Sequence, residues 1–367
     1  MYKMMTPGPT MVAENIRMAR SMETGNPDLD LDFYDYYKET CELYSSLLHT
    51  ENESLILSGE GILGLEAAVA SLTEPGDRVL VLDNGVFGKS FADFVSLYGG
   101  NPVLYTTDYK REIEIEPLRE FLGKDSDFKY ATVVHCDTPS GMLNDIAAIC
   151  PLLKEFGILT VVDSVSGMFG NEVNVDKSKI DILCGASQKA ISCPIGLTLV
   201  TISEDAKQAM ENRKTKIASF YGNLLTFKMY YENKWFPYSM PISDIYGLRQ
   251  ALENIKEDTD ILKRHAKIAA KTRQALMHAG LKLYAENGYS NTVTVFTVPG
   301  GVTAAEILRT MREDYNIMLA GSFDVMAGEV IRIGHMGYNC TEENMKETLH
   351  ALDGTLRKLG VKPTAVM

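Results

Sequence analysis

The sequence predicts an α/β fold, in which a large domain built on a doubly wound, mostly parallel sheet precedes a smaller α+β C-terminal domain. Three observations predict it. Short apolar runs alternate with amphipathic stretches through the first two-thirds of the 367 residues. Several of those runs end on polar residues at Gly-rich turns. A proline-bounded segment, Pro237 to Pro241, then breaks the alternation, and mixed helix and strand patterns follow.

In chain order, Leu55-Ile56-Leu57 reads as a strand and leads through a Gly turn into a helix from Ile62 to Leu72. Glu74-Pro75-Gly76-Asp77 stops that helix, and Arg78 to Leu82 is the next strand. Ala131 to His135, the helix Ile146 to Phe156 and the strand Ile158 to Asp163 repeat the pattern, as parallel βαβ units require. Ile182 to Gly185 adds a further strand. Apolar spacing near 3.6 predicts one long helix over Ser243 to Ala279. Thr292 to Val298, Ala304 to Glu313 and Glu329 to Ile333 then read as strand, helix and strand. The expected division lies inside the long helix, giving domains 1–250 and 251–367.

Composition narrows the function. A formal charge of −13 with no long basic run would repel a duplex or an anionic membrane, so neither is an expected partner. No window is apolar enough to span a bilayer. Met1 to Pro7 lacks an apolar h-region, so no signal peptide is expected. Cys41, Cys136, Cys150, Cys184, Cys193 and Cys340 form no CxxC pair and no metal-ligand spacing. Free thiols, no metal and a cytoplasmic location are the expectation.

Two strand ends carry chemistry. Thr160-Val161-Val162 ends on Asp163, and Ile182 to Gly185 leads into Ser187-Gln188-Lys189. In open α/β sheets ligands sit beyond the carboxyl ends of the strands, so both groups can reach one site. An amine there can form an imine with an aldehyde, and a carboxylate there can keep a pyridine nitrogen protonated. Taken singly, each has a plainer reading: an exposed surface lysine and a helix-capping aspartate. Their context separates the two readings.

That context resembles the class V aminotransferases of fold type I, in the alanine/serine–glyoxylate group. The matching segments are Thr6-Pro7-Gly8-Pro9, Gly59-Glu60-Gly61 through Leu65-Glu66-Ala67-Ala68, Asn84 to Gly88, Val162-Asp163-Ser164-Val165, Ser187-Gln188-Lys189-Ala190 and Arg332-Ile333-Gly334. They follow family order along nearly the whole chain. The resemblance implies a pyridoxal-type aldehyde on Lys189, with Asp163 at the pyridine nitrogen. It also implies Phe87 and Val165 on the two ring faces and Thr138 at the ring hydroxyl. Glu60, Gly61, Ile62 and Gln188 would surround the ring's 5′ substituent. Arg332, a planar bidentate donor, would hold the carboxylate of an amino or oxo acid, with Gly8 beside it. A homodimer or homotetramer is implied as well.

The same resemblance exposes departures. Relatives that bind the phosphorylated ring carry a small hydroxyl residue where Glu60 stands, a histidine where Ile62 stands and, where Phe236 stands, a tyrosine that reaches across the dimer to the phosphate. Amides at a helix N-terminus favour anions. A carboxylate about 4 Å from a phosphate charge costs about 4 kcal/mol at an effective dielectric near 20. A cup of Glu60, Ile62 and Phe236 suits a neutral CH₂OH group, as in the transaminases that convert pyridoxamine and pyruvate to pyridoxal and L-alanine. That is the expected activity. Glu60 has a second reading, as a cap on its own helix that leaves phosphate bound through water. Gln188 is retained as in phosphate-binding relatives, and Phe323 replaces a second arginine. A pyridoxal 5′-phosphate-dependent alanine/serine–glyoxylate aminotransferase is therefore the alternative.

Two further classes fit these residues less well. A cysteine desulfurase needs a mobile-loop thiolate, and Ala320 to Gly328 contains no cysteine. A non-catalytic vitamer-binding protein would account for Glu60 and Phe323 but not for Lys189, Asp163 and Arg332 together. His135, His335 and Met336 lie beside motifs and are expected to be packing residues.

Overall fold

A computed structural model describes residues 2–361. Its centre is a seven-stranded sheet of β1 (Glu53–Ser58), β2 (Arg78–Asp83), β3 (Asn101–Thr106), β4 (Tyr130–Val134), β5 (Leu159–Asp163), β6 (Ile182–Ala186) and β7 (Leu197–Ile202). The spatial order is β1-β7-β6-β5-β4-β2-β3. Six strands run parallel, and β7 is antiparallel to both neighbours. The fold class is the expected one. The strands β7 and β3 add to those read from the sequence, although the apolar, β-branched run Leu197 to Ile202 is itself a strand pattern.

β7 reverses because only a short loop joins it to β6. Ser187 ties the base of that loop: its N–H donates to the Leu197 carbonyl at 3.0 Å, and its hydroxyl donates to the Pro194 carbonyl at 2.7 Å. Lys189 sits inside this loop, so the strand reversal fixes its position. Helices α1 (Gly61–Leu72), α2 (Val86–Leu97) and α3 (Ile146–Glu155) lie in the connections. Nearly every residue of β4, β5 and β6 is buried, as expected of strands covered on both faces.

The long helix is corrected to two. α4 (Ile242–Glu257) and α5 (Ile261–His278) are separated by Asp258-Thr259-Asp260. Short polar side chains such as these compete with the helical ladder. Arg264 then holds the break, donating through both Nη groups to the Asp258 carboxylate at 2.8 and 2.5 Å. α4 contributes Ile242, Leu248 and Ile255 to the core around the main sheet. α5 contributes Ile268 and Leu276 to a second core with α6 (Ala304–Tyr315), α7 (Glu342–Lys358) and the antiparallel pair β8 (Val293–Thr297) and β9 (Val330–Gly334). The N-terminal arm reaches this second core. Lys3-Met4 pairs in parallel with Ile317-Met318, and Met5 is fully buried there.

Candidate active site

The carboxyl ends of β5 and β6, the start of α1, the first turn of α2 and the N-terminal arm enclose a cavity of about 250 Å³. Gly8, Glu60, Gly61, Ile62, Phe87, Thr138, Asp163, Val165, Gln188 and Lys189 all line it. Arg332 does not. It stands in the middle of β9, opposite Val295, and is close enough to Lys189 for its charge to act there.

Lys189 is half-buried, and its Nζ donates to the Pro7 carbonyl at 2.6 Å. Burial draws its pKa down to about 8; the Arg332 charge pushes the same way, against Cys136, Asp163 and Glu60. About one-tenth is therefore neutral, and so nucleophilic, at pH 7, far more than for an exposed lysine. The arm that covers it is secured further along, where Thr10 N–H donates to the Gln188 carbonyl at 3.1 Å.

Asp163 closes β5. One oxygen accepts from the Val165 amide at 2.9 Å, leaving the other available to the cavity. Burial raises its pKa to about 7, opposed by the Val165 amide and Lys189. A protonated ring nitrogen alongside would supply the counter-charge that this carboxylate lacks. The Val165 turn packs on α1, where a Cβ at Gly61 would meet Val165 Cγ2 at 3.0 Å and Ala186 Cβ at 3.1 Å. Glycine at the first helical position therefore lets α1 close down on the end of β6.

Glu60 caps α1. Its Oε1 accepts from the Ile62 amide at 3.1 Å, while its side chain still borders the cavity. Capping and cavity lining, set as alternatives by the sequence, are both present. The helix N-terminus already carries an anion, and the ionisable groups of the lining are Glu60, Asp163, Lys189 and the Cys136 thiol.

Arg332 is held by its Nε, which donates to the Gly321 carbonyl at 2.5 Å. Among the described residues its Nη groups meet no acceptor, which leaves the fork open to a carboxylate. Burial lowers its pKa to about 10, and the charge of Asp137 opposes this.

Asp137 was not singled out from the sequence, although it adjoins Thr138. It is fully buried and accepts from the Phe87 amide at 3.0 Å and the Ser140 hydroxyl at 2.6 Å. It thus fixes Phe87 at the cavity wall and compensates Arg332. Ser166, which hydrogen-bonds Thr138, and the Cys136 thiol also border the cavity without having been marked. Only their proximity to Thr138 and Val165 in sequence hinted at them.

Phe236 is not in the cavity of its own chain; it is buried, stacked on Tyr34 at 4.6 Å and edge-on to Tyr37 at 5.1 Å. An aromatic core accounts for the phenyl group there. His135, His335 and Met336 are buried packing residues, as expected. Among the described residues no cluster of metal-ligating groups is found, and no helix is long and apolar enough to cross a membrane.

The residues present fit a pyridoxal-type ring: a half-buried amine, a carboxylate across the cavity, and an aromatic and a branched aliphatic side chain for its faces. Comparison with known proteins agrees. Residues 10–346 match the family model for class-V aminotransferases. The chain is 34% identical to an uncharacterized aminotransferase of Methanocaldococcus jannaschii, over 97% of this chain and 93% of that protein. It is 31% identical to the pyridoxamine–pyruvate transaminase of Mesorhizobium japonicum, over 91% and 86% of the two chains. The crystal structure of ureidoglycine–glyoxylate aminotransferase from Bacillus subtilis superposes with a TM-score of 0.95 at 28% identity, covering 100% of this chain and 95% of that one.

Proposed function

Because the chain belongs to the class V aminotransferases, we propose that it exchanges an amino group between unphosphorylated pyridoxamine and a small 2-oxo acid, pyruvate being the best match, to give pyridoxal and L-alanine. The observation that carries this reading is Glu60 on the N-terminus of α1. A phosphate would have to displace this carboxylate from the Ile62 amide and then sit beside it. A CH₂OH group donates a hydrogen bond to the same carboxylate and leaves the cap in place.

When bound, the pyridoxal-type ring supplies an aldehyde carbon for amino-group exchange and a sink for electrons released at the substrate carbon. The chain's own groups do the rest. Lys189 binds the aldehyde and, once free, moves the proton between the substrate carbon and the ring's exocyclic carbon. Asp163 holds a proton on the ring nitrogen. Phe87 and Val165 confine the ring between them, and Thr138 orients it through its hydroxyl. Arg332 receives the substrate carboxylate through its open fork, with Gly8 leaving space near Lys189. We further propose a homodimer or homotetramer. The exposed Phe220, Tyr221 and Trp235 provide apolar surface for such contacts. A cytoplasmic setting fits the six unpaired, buried cysteines.

Gln188 favours a second reading, in which the ring is phosphorylated and glyoxylate is the acceptor. Its side chain lines the cavity, where its amide nitrogen can donate to a phosphate oxygen, although its buried oxygen, without a partner, calls for a donor instead. Absorbance titrations with pyridoxal and with pyridoxal 5′-phosphate, on wild type and Glu60→Ser, decide between them. Tight binding of pyridoxal, weak binding of the ester and a reversal in Glu60→Ser support the first reading. Tight binding of the ester by the wild type, unaltered in Glu60→Ser, replaces it with the second.

A further inference from the structure

Phe323 is the aromatic group that joins the ring-facing wall to the carboxylate fork. Its ring meets Phe87 edge-on, with centroids 5.9 Å apart and planes at 75°. The Arg332 guanidinium lies 5.7 Å from the Phe323 centroid. The same short segment supplies the Gly321 carbonyl that takes Arg332 Nε. Phe323 therefore lies beside the one arginine fork of the site and the wall of the ring cavity, and it is still 44% exposed.

A face made this way has a definite preference. Phe323 leaves the Arg332 charge in place but offers no donor of its own. Fields from the surrounding groups act in the same sense. The Asp137 carboxylate acts on Arg332 from this side of the site. A second carboxylate on the substrate would leave water here for an aromatic face and a like charge. A short, uncharged side chain would lose nothing.

We propose that Phe323 determines specificity, admitting amino and oxo acids with one carboxylate and a small apolar side chain and excluding dicarboxylates. The inference rests on Arg332 as the carboxylate-holding group of the reading above. It does not depend on whether the ring is phosphorylated or on which oxo acid reacts.

The test uses inert ligands, so that it reads recognition apart from turnover. Binding of propionate and of succinate to the pyridoxal-loaded full chain is measured by calorimetry for wild type, Phe323→Leu and Phe323→Arg. The wild type is expected to prefer propionate at least tenfold. Phe323→Leu should narrow that preference several-fold, because the edge contact with Phe87 and the cover over Arg332 are lost. Phe323→Arg should shift the ratio toward succinate by thirtyfold or more. Equal binding of the two acids by the wild type overturns the proposal, as does an unchanged ratio in Phe323→Arg with a native circular-dichroism spectrum. Failure of the pyridoxamine–pyruvate reading would instead appear as absent amino transfer between those two compounds, with the binding ratios intact.

Discussion

Gly8 and Lys189 approach so closely that a Cβ on residue 8 would lie 2.4 Å from Lys189 Cδ and 2.8 Å from its Nζ. Gly8 also has φ +107°, a conformation that side chains disfavour. Gly8→Ala should thus push Lys189 off its position over the cavity. Misplacing a reacting group by about 1 Å can cost on the order of a hundredfold in rate. The expected outcome is a fall of that order in amino transfer, with a far smaller change in thermal midpoint. A wild-type rate in Gly8→Ala would show the contact to be incidental.

The pH dependence of aldehyde capture follows from Lys189, whose pKa is drawn down to about 8 by burial. Only the neutral amine attacks, so capture rises as pH rises through about 8. The neutral fraction grows from about one-tenth at pH 7 to about nine-tenths at pH 9. Stopped-flow absorbance with pyridoxal should therefore show about a tenfold increase across that range. Arg332→Leu should move the midpoint upward, because the guanidinium lowers it in the wild type. Lys189→Ala should show no capture at any pH, and a flat wild-type profile would remove the basis for this assignment.

Asp137 is predicted to matter for stability and for carboxylate recognition together. Asp137→Ala strands the donors of Phe87 and Ser140, at about 1–3 kcal/mol for each buried group left unpaired. It also removes the negative charge facing Arg332. Urea unfolding should show a lower midpoint, and KM for the oxo acid should change with it. A loss of stability with KM unaltered would confine Asp137 to supporting the Phe87 turn.

Phe236 should behave as a core residue. Phe236→Ala removes a stacked ring from among Tyr34, Tyr37 and Tyr230, and truncations of this kind cost about 3–5 kcal/mol. The preference between pyridoxal and its phosphate ester should stay as it is. A changed preference in a folded Phe236→Ala protein would return this residue to the ring's surroundings.

Much of this site was legible because open parallel sheets put ligands at one predictable edge. Asp163 and Lys189 terminate or follow apolar strands, so their convergence could be anticipated from local pattern alone. Asp137 was missed because a buried acceptor announces itself by its donors, and Phe87 lies 50 residues away in the chain. The single long helix was over-read for a related reason. Apolar spacing continues across Asp258-Thr259-Asp260, whereas the break depends on those residues' own hydrogen bonding and on Arg264.

The sequence by itself determined the alternation of strands and helices, the family and the residue types at the cavity, since periodicity and motifs are properties of neighbouring residues. The tertiary structure decided what those residues face. It turned β7 against its neighbours, buried Phe236 in an aromatic core, set Glu60 on the Ile62 amide and left the Arg332 fork open beside Phe323. Each of these outcomes is set by packing and hydrogen bonds between particular atoms, and apart from the Glu60 cap, whose donor is two residues away, no local pattern encodes them.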